Sequence, residues 1–379
     1  MLWLNNINTN HDLSFTFNKL SYNGEDFLDQ DVKIKIGRGY FAIDDLRLKA
    51  ARATLNLGLN IDISQKKPQF ELNISSQDFV YNSILKPDNS GSLIDSAIRA
   101  IKKEQKINFI DQFYALPSLE GFEGKISLNF TKLKLDNVAI DIAKLSGKIK
   151  DGTINIAEMS GGIYGGSFGF KGLIGMKLNK NINGNLSFMN ISLKPFLSDI
   201  FNITNIDGTA NISSSLVSSA YIKQKFTESL NSEIKFVVNS PTVTGYGLSN
   251  LVKKMFAPQV YQKELYEPVK ILINPKSATT FKDARGTIQI NKKDAKLRAT
   301  LAGNALNSVL SGSADLENNN IDVLLNTIFL TGNRQKQIPI NIATSIKGDI
   351  SNPSSSTNFD QVTQYLGYKS VKLNQATAQ

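Results

Sequence analysis

Residues 55–63 read Leu55-Asn56-Leu57-Gly58-Leu59-Asn60-Ile61-Asp62-Ile63, with an aliphatic side chain at every second position and a small or polar one between. Successive side chains of an extended strand point to opposite faces, so this spacing makes one apolar face and one wet face. The polar stretch Ser64-Gln65-Lys66-Lys67-Pro68 follows, and then Phe70, Leu72 and Ile74 resume the alternation. The pattern predicts a hairpin with a single apolar face.

The same period recurs along the chain. It is found at Ile126, Leu128 and Phe130; at Leu133 and Leu135; at Val138, Ile140 and Ile142; at Ile182, Leu186, Phe188, Ile191 and Leu193; at Ile288 and Ile290; and at Ala295, Leu297, Ala299 and Leu301. The beat skipped at Thr131-Lys132 predicts a bulge or a tight turn. Three glycine-led segments, starting at Gly39, Gly152 and Gly286, each open a run of short strands, which suggests a repeated β-meander.

Helical spacing is confined to a few segments. Leu93 to Tyr114 carries Leu93, Ile94, Ala97, Ile98, Ile101, Ile107 and Ile110 behind the loop and cap Asp88–Ser92, the rhythm of an amphipathic helix. Shorter candidates are Leu193–Ile200, Ala220–Leu230, Tyr246–Phe256 and Phe359–Leu366. So few helices cannot cover so many one-faced strands, and a large antiparallel sheet curls or splits into packed halves. The expected fold is therefore mostly β: a long curled antiparallel sheet of repeated meanders, with a few short amphipathic helices, forming an apolar groove.

Composition limits the chemistry. The chain of 379 residues has no Cys, which excludes disulfides, thiolate zinc sites, iron–sulfur clusters and a Cys nucleophile. Its one His, His11, lies in the polar stretch Asn8–Asp12 and reads as an exposed loop residue. Asp44 and Asp45 are adjacent, so on a strand they point apart and cannot converge for acid/base work. The glycine-rich run Gly161–Phe170 lacks the order of a phosphate loop and leads into alternating residues, so its glycines read as places where a strand bends or backbones approach.

The net charge of +10 comes from 43 Lys and Arg against 33 Asp and Glu, but only seven of the 43 are Arg. Scattered lysines describe a solvated surface better than a nucleic-acid reader, so no nucleic-acid partner is expected. Arg99, Lys102, Lys103 and Lys106 would let the helix from Leu93 lie on a membrane, although packing across the sheet suits it as well. No apolar run reaches the roughly 18 residues of a transmembrane helix. The opening residues Met1–Asn6 lack the basic and apolar regions of a secretion signal.

What remains is the alternating apolar set itself. It lines either a closed core or a groove that holds acyl chains. The candidate lining residues are Leu55, Leu57, Leu59, Ile61, Ile63, Phe70, Leu72, Ile74, Ile126, Leu128, Phe130, Phe168, Phe170, Leu186, Phe188, Leu297 and Leu301. No catalytic residue, metal ligand or cofactor is expected.

Several segments resemble the C-terminal part of AsmA-family proteins. These are Ile163–Phe168 through Gly184–Phe188, Leu193–Ile200, Ile206–Asn211, the Leu230-Asn231-Ser232 passage leading to Thr244–Leu248, and the closing Ile338-Pro339-Ile340, Gly348 and Pro353. Ser232 stands where the family pattern has Gly. The resemblance implies a Gram-negative envelope protein, periplasmic and associated with the inner membrane. It also implies kinship with bridge-like lipid transfer proteins of the TamB and YhdP type, and no catalytic residues.

On that reading the expected function is to bind phospholipid or another membrane lipid in a hydrophobic β-groove, supporting lipid transport between the inner and outer membranes or outer-membrane assembly, with envelope proteins as further partners. The other expectation is a non-enzymatic scaffold of outer-membrane biogenesis with a closed β-sandwich core. The family's N-terminal anchor is not among these residues, so a shortened or split reading frame is expected. The expected organisation is a meander over 1–90, a helical connector over 91–120, a central AsmA-like meander with short helices over 121–256, a last meander over 257–353 and a polar tail over 354–379.

Overall fold

The alternating segments are strands of a mostly β structure. The computed structural model describes residues 7–80, 118–220, 228–256, 273–365 and 367, apart from 23–24, 51–52, 66, 136–137, 178, 202, 304–305, 334–335 and 351–352. The helix expected over Leu93–Tyr114 and most of the one expected over Ala220–Leu230 lie outside the described residues. The chain divides into two compact units, Met1–Ser187 with Ser215–Ser229, and Phe188–Ser214 with Leu230–Gln379.

The first unit holds β1 (His11–Tyr22), β2 (Glu25–Gly37), β3 (Tyr40–Ala50), β4 (Ala53–Asp62), β5 (Gln69–Val80), β6 (Glu123–Leu135), β7 (Val138–Lys150), β8 (Thr153–Ile163) and β9 (Gly166–Met176). These strands pair in chain order, as meanders do. The hairpin read from residues 55–74 is β4–β5, with Leu57 opposite Ile74, Leu59 opposite Leu72 and Ile61 opposite Phe70. All these pairs are antiparallel except β5–β6, which is parallel. Parallel neighbours cannot be joined by a short hairpin, and residues 81–122 separate these two strands in sequence.

Three local expectations need correction. The skipped beat at Thr131-Lys132 is neither a turn nor a bulge: β6 runs through it, with Leu133 opposite Ile140 and Leu135 opposite Val138. The irregularity falls on β7, where the β7–β8 register shifts between Asp141 and Lys144. There Ile142 takes φ 50° and stands 60% exposed, out of the apolar series it had been read into. Gly39 and Gly152 do open strands, in turns at φ 69° and 72°. Gly286, however, lies inside a strand, where an added Cβ would sit 2.5 Å from the Phe236 ring and 2.6 Å from Ala299 Cβ. It serves close packing rather than a turn, so it does not mark a third meander start.

Two further strands follow in sequence, β10 (Lys180–Ser192) and β11 (Ile206–Ala220), with helix α1 (Leu193–Phe201) between them. In the second unit β12 (Asn231–Tyr246) pairs with both β13 (Ile273–Thr280) and β14 (Asp283–Asn291). An antiparallel ladder then runs through β15 (Asp294–Ala302), β16 (Leu306–Asp315), β17 (Asn320–Asn333), β18 (Lys336–Asp349) and β19 (Ser354–Asn358). Helix α2 (Leu248–Phe256) and a helical turn at 360–365 correspond to two of the predicted helices, and α1 to a third.

The core of the second unit is filled by protein. Leu248, Leu251 and Val252 of α2 meet Phe281, Leu306, Phe329, Ile340, Ile342 and Val362, all 7% exposed or less, with Tyr246, Leu301, Phe359 and Tyr365 packed around them. Its buried hydroxyls are satisfied: Ser308 and Thr327 hydrogen-bond at 2.7 Å, and Thr279 Oγ1 accepts from the Leu248 amide at 2.8 Å.

Candidate functional site

Residues directly opposite each other on paired strands share a face of the sheet, so the registers of the first unit can be followed from strand to strand. One transverse row runs Phe15, Val32, Leu46, Leu57, Ile74, Leu128, Leu145, Met159, Phe170. A second runs Leu13, Ile34, Ile43, Leu59, Leu72, Ile126, Gly147, Ile156, Gly172. A third runs His11, Ile36, Phe41, Ile61, Phe70, Gly124, Ile149, Ile154, Ile174. Nine strands contribute to each row, and the one polar side chain in all three is His11 at the β1 end.

At about 4.8 Å between strands and about 3.4 Å per residue, the band measures about 38 Å across the strands and about 14 Å along them. That is about 530 Å², near the upper end of the roughly 300–600 Å² of the largest apolar patch on a typical monomer, a size that often marks a functional surface. A fourth row, Leu55, Ser76, Phe130, Ala143, ends the purely apolar zone. Ser76 there is 5% exposed and its hydroxyl has no hydrogen-bond partner.

The opposite face is wet. Asn60, Glu71, Lys125, Lys148 and Asn155 are in register across β4–β8, and they line a shallow concavity of about 560 Å³. At the strand ends beside it, Lys67 pairs with Asp151 and, at 3.2 Å, with Glu123. The hydrogen bond to Asp151 raises the Lys67 ammonium above the ordinary lysine value and holds the Asp151 carboxyl below the ordinary carboxylate value. Lys35 pairs with Asp44 at 2.7 Å on the same side. These exposed pairs sit in water and are worth little individually. Their consequence is orientation: the charged face stays out.

The candidate lining residues divide between the units. Leu55, Leu57, Leu59 and Ile61 on β4, Ile63 just beyond it, Phe70, Leu72 and Ile74 on β5, and Ile126, Leu128 and Phe130 on β6 are all half-buried. Phe168 on β9 and Leu186 on β10 are half-buried too, whereas Phe170 is 7% exposed. In the second unit Phe188 packs on Phe196 of α1, ring centres 5.4 Å apart, and Leu301 packs against the filled core, and both are half-buried. Leu297 is half-buried on β15.

The band also takes in residues not read as lining, notably Leu13 and Phe15 on β1, Val32, Ile34 and Ile36 on β2, and Phe41 and Ile43 on β3. The alternation of β1 and β2 carried that signal. The contribution of β3 was masked by bulges, because the β2–β3 and β3–β4 registers both shift near Ile43.

His11 is the one polar side chain of the three rows, and in the adjoining row Gln30, opposite Phe17, and Ser76 are buried. His11 is exposed, its Nε2 2.7 Å from Thr9 Oγ1, but it opens β1 opposite Ile36 and does not lie in a loop as its polar neighbours suggest. Among the described residues no group of His, Asp and Glu could hold a metal ion, and no helix is long and apolar enough to cross a membrane. The arrangement can bind apolar matter.

The sequence pattern of the AsmA family matches residues 101–300, more than half of the chain. The chain belongs to the AsmA family. No curated protein and no solved structure matches it. The matched stretch of this AsmA-family chain runs from before β6 through β14, and so takes in the β6–β9 part of the band.

Proposed function

We propose that this AsmA-family protein holds phospholipid acyl chains against the apolar face of its first unit and supports lipid movement between the inner and outer membranes of a Gram-negative envelope. One observation carries the reading: three adjacent rows cross nine strands with a single polar side chain among them. At roughly 0.8 kcal/mol per buried methylene, a tail of about 14 methylenes gains on the order of 10 kcal/mol before ordering costs. That is enough to hold a lipid, and the role needs no catalytic residue and no cofactor.

Family membership supports the envelope setting, and the place we assign is the periplasm, in association with the inner membrane. Native mass spectrometry of the purified full chain is the test. Phospholipid masses should ride on the protein, and repeated spectra of bare protein would refute the reading.

A second reading, a scaffold for outer-membrane assembly, is favoured by one feature, the filled core of the second unit. It predicts lipid-free protein together with retained envelope partners on affinity purification. The same two measurements decide between them.

A further inference from the structure

In the second unit the edge of β18 that faces away from β17 can be followed position by position. The Asn341 amide points to that side, where it donates to Gln361 Oε1 at 2.8 Å. Neither ladder of β18 shifts register. The backbone groups of a strand alternate sides every residue, so 339, 343, 345 and 347 present theirs to the same side as Asn341. Residues Ala343–Lys347 face β19 there, and Pro339 has no amide to offer. Every outward amide from 339 to 347 is thus absent, taken, or facing β19.

Residues 354–365 supply this closure, and they are fastened at one point. β19 reads Ser354-Ser355-Ser356-Thr357-Asn358, of which only Thr357 is half-buried, its hydroxyl 3.0 Å from that of Thr344. Such a strand buries little apolar surface of its own. The Asn358 side chain accepts from the Asp360 amide at 2.8 Å and caps the helical turn that follows. That turn carries Val362, 0% exposed, into the core that holds Phe329, Ile340 and Ile342. Gln361 is its neighbour in sequence, so the buried valine keeps the glutamine at the edge.

The edge so closed is one that would otherwise pair. β18 has 14 residues, with Ile340, Ile342 and Ile346 on one face, and the 5 residues of β19 leave much of it uncovered. A long edge rich in β-branched residues is a template for another strand. The strand that matches it in length and alternation is β18 of a second copy, paired antiparallel about a two-fold axis.

We infer that residues 354–365 are a stop, which occupies the β18 edge and keeps the second unit from pairing there with a second copy of this chain. Val362 is its fastening, and Pro339 closes the next outward position. The inference goes beyond lipid holding and is independent of it.

Opening the stop tests it. Pro339→Val restores an outward amide, Gln361→Ala uncovers that of Asn341, and Val362→Ala loosens the fastening. The three are made together in the full chain. Sedimentation velocity then follows its mass over a wide range of concentration, with circular dichroism reporting the fold. The unchanged chain should keep one mass at every concentration, and the opened variant should shift to twice that mass as concentration rises. Adding Asn341→Pro, which deletes an outward amide without touching the β17 ladder, should return it to the single mass.

A folded opened variant that keeps the unchanged chain's mass would overturn the inference. Doubling that survives Asn341→Pro would overturn it too, because the contact would then lie elsewhere. An unchanged chain that already doubles, and that Asn341→Pro returns to the single mass, would show that residues 354–365 do not stop the pairing. If the triple variant does not fold, Pro339→Val with Gln361→Ala, which leaves the core intact, is judged by the same results.

Discussion

Replacing Leu57, Leu59 and Leu72 together with serine should empty the first unit of lipid while leaving its strands in place. All three are half-buried and meet in register on β4 and β5, Leu59 directly opposite Leu72. Full burial of a leucine is worth about 1.5–3 kcal/mol, so half-burial contributes about 1 kcal/mol per side chain. The triple variant therefore loses about 3 kcal/mol of fold stability. It also loses about 3 kcal/mol of contact with a bound tail, which corresponds to roughly a hundredfold weaker retention.

Phe329→Ala provides the contrast. That ring is 1% exposed in the filled core of the second unit, and a single truncation there should cost about 3–5 kcal/mol because it leaves a cavity. Lipid content should not change. Urea unfolding followed by far-ultraviolet circular dichroism gives the stability of each variant, and native mass spectrometry counts the lipid. The reasoning fails if Leu72→Ala alone destabilises as much as Phe329→Ala, because that would mean the first unit's face is plugged by protein. It fails equally if the triple serine variant keeps its full complement of lipid.

Other outcomes follow from particular residues. Ile142 holds φ 50° with a β-branched side chain that is 60% exposed, so Ile142→Asn should raise stability by about 1 kcal/mol in urea unfolding, because Asn tolerates that backbone region far better. Gly172→Ala should destabilise by about 2 kcal/mol in the same assay, because the new methyl would press on the Asn183 carbonyl and on Gly184 Cα, both backbone atoms that cannot rotate away. Burial raises the Tyr246 phenol above its usual value of 10.0, against a smaller opposing effect of its 3.2 Å hydrogen bond with Thr344. The folded state therefore favours the neutral phenol: its contribution is whole below pH 10 and is lost as pH rises from there through the raised value. Tyr246→Phe should remove that alkaline loss while costing about 1 kcal/mol at neutral pH for the hydrogen bond, as read from unfolding curves across pH.

Much of this architecture is legible from residue spacing. The run Leu55–Ile63 with Phe70–Ile74 names a hairpin and its apolar side, because a period of two leaves one arrangement in which all those side chains share a face. The glycines of Gly161–Phe170 mark the β8–β9 hairpin, whose turn takes φ 50° at Tyr164 and 77° at Gly165. Ile142 leaves the apolar series because β7 carries an extra residue there relative to β8, and the strand's own residues record it as a change of phase, from Val138 and Ile140 to Ala143, Leu145 and Ile149. The parallel β5–β6 pair is not legible in this way, since side-chain period says which face a residue takes and is silent on the direction of the neighbouring strand.

The sequence by itself determined that this is a β chain of the AsmA family with one greasy and one wet side to its strands, since local sterics and the period of the backbone suffice for both. Tertiary structure alone decided what lies over the greasy side. Ile61 and Ile342 each follow an Asn in an alternating run, yet Ile61 stands half-buried in the first unit, while Ile342 is 0% exposed in a core filled by α2 and the turn at 360–365. Burial is set by atoms brought in from distant parts of the chain, and no local pattern contains them.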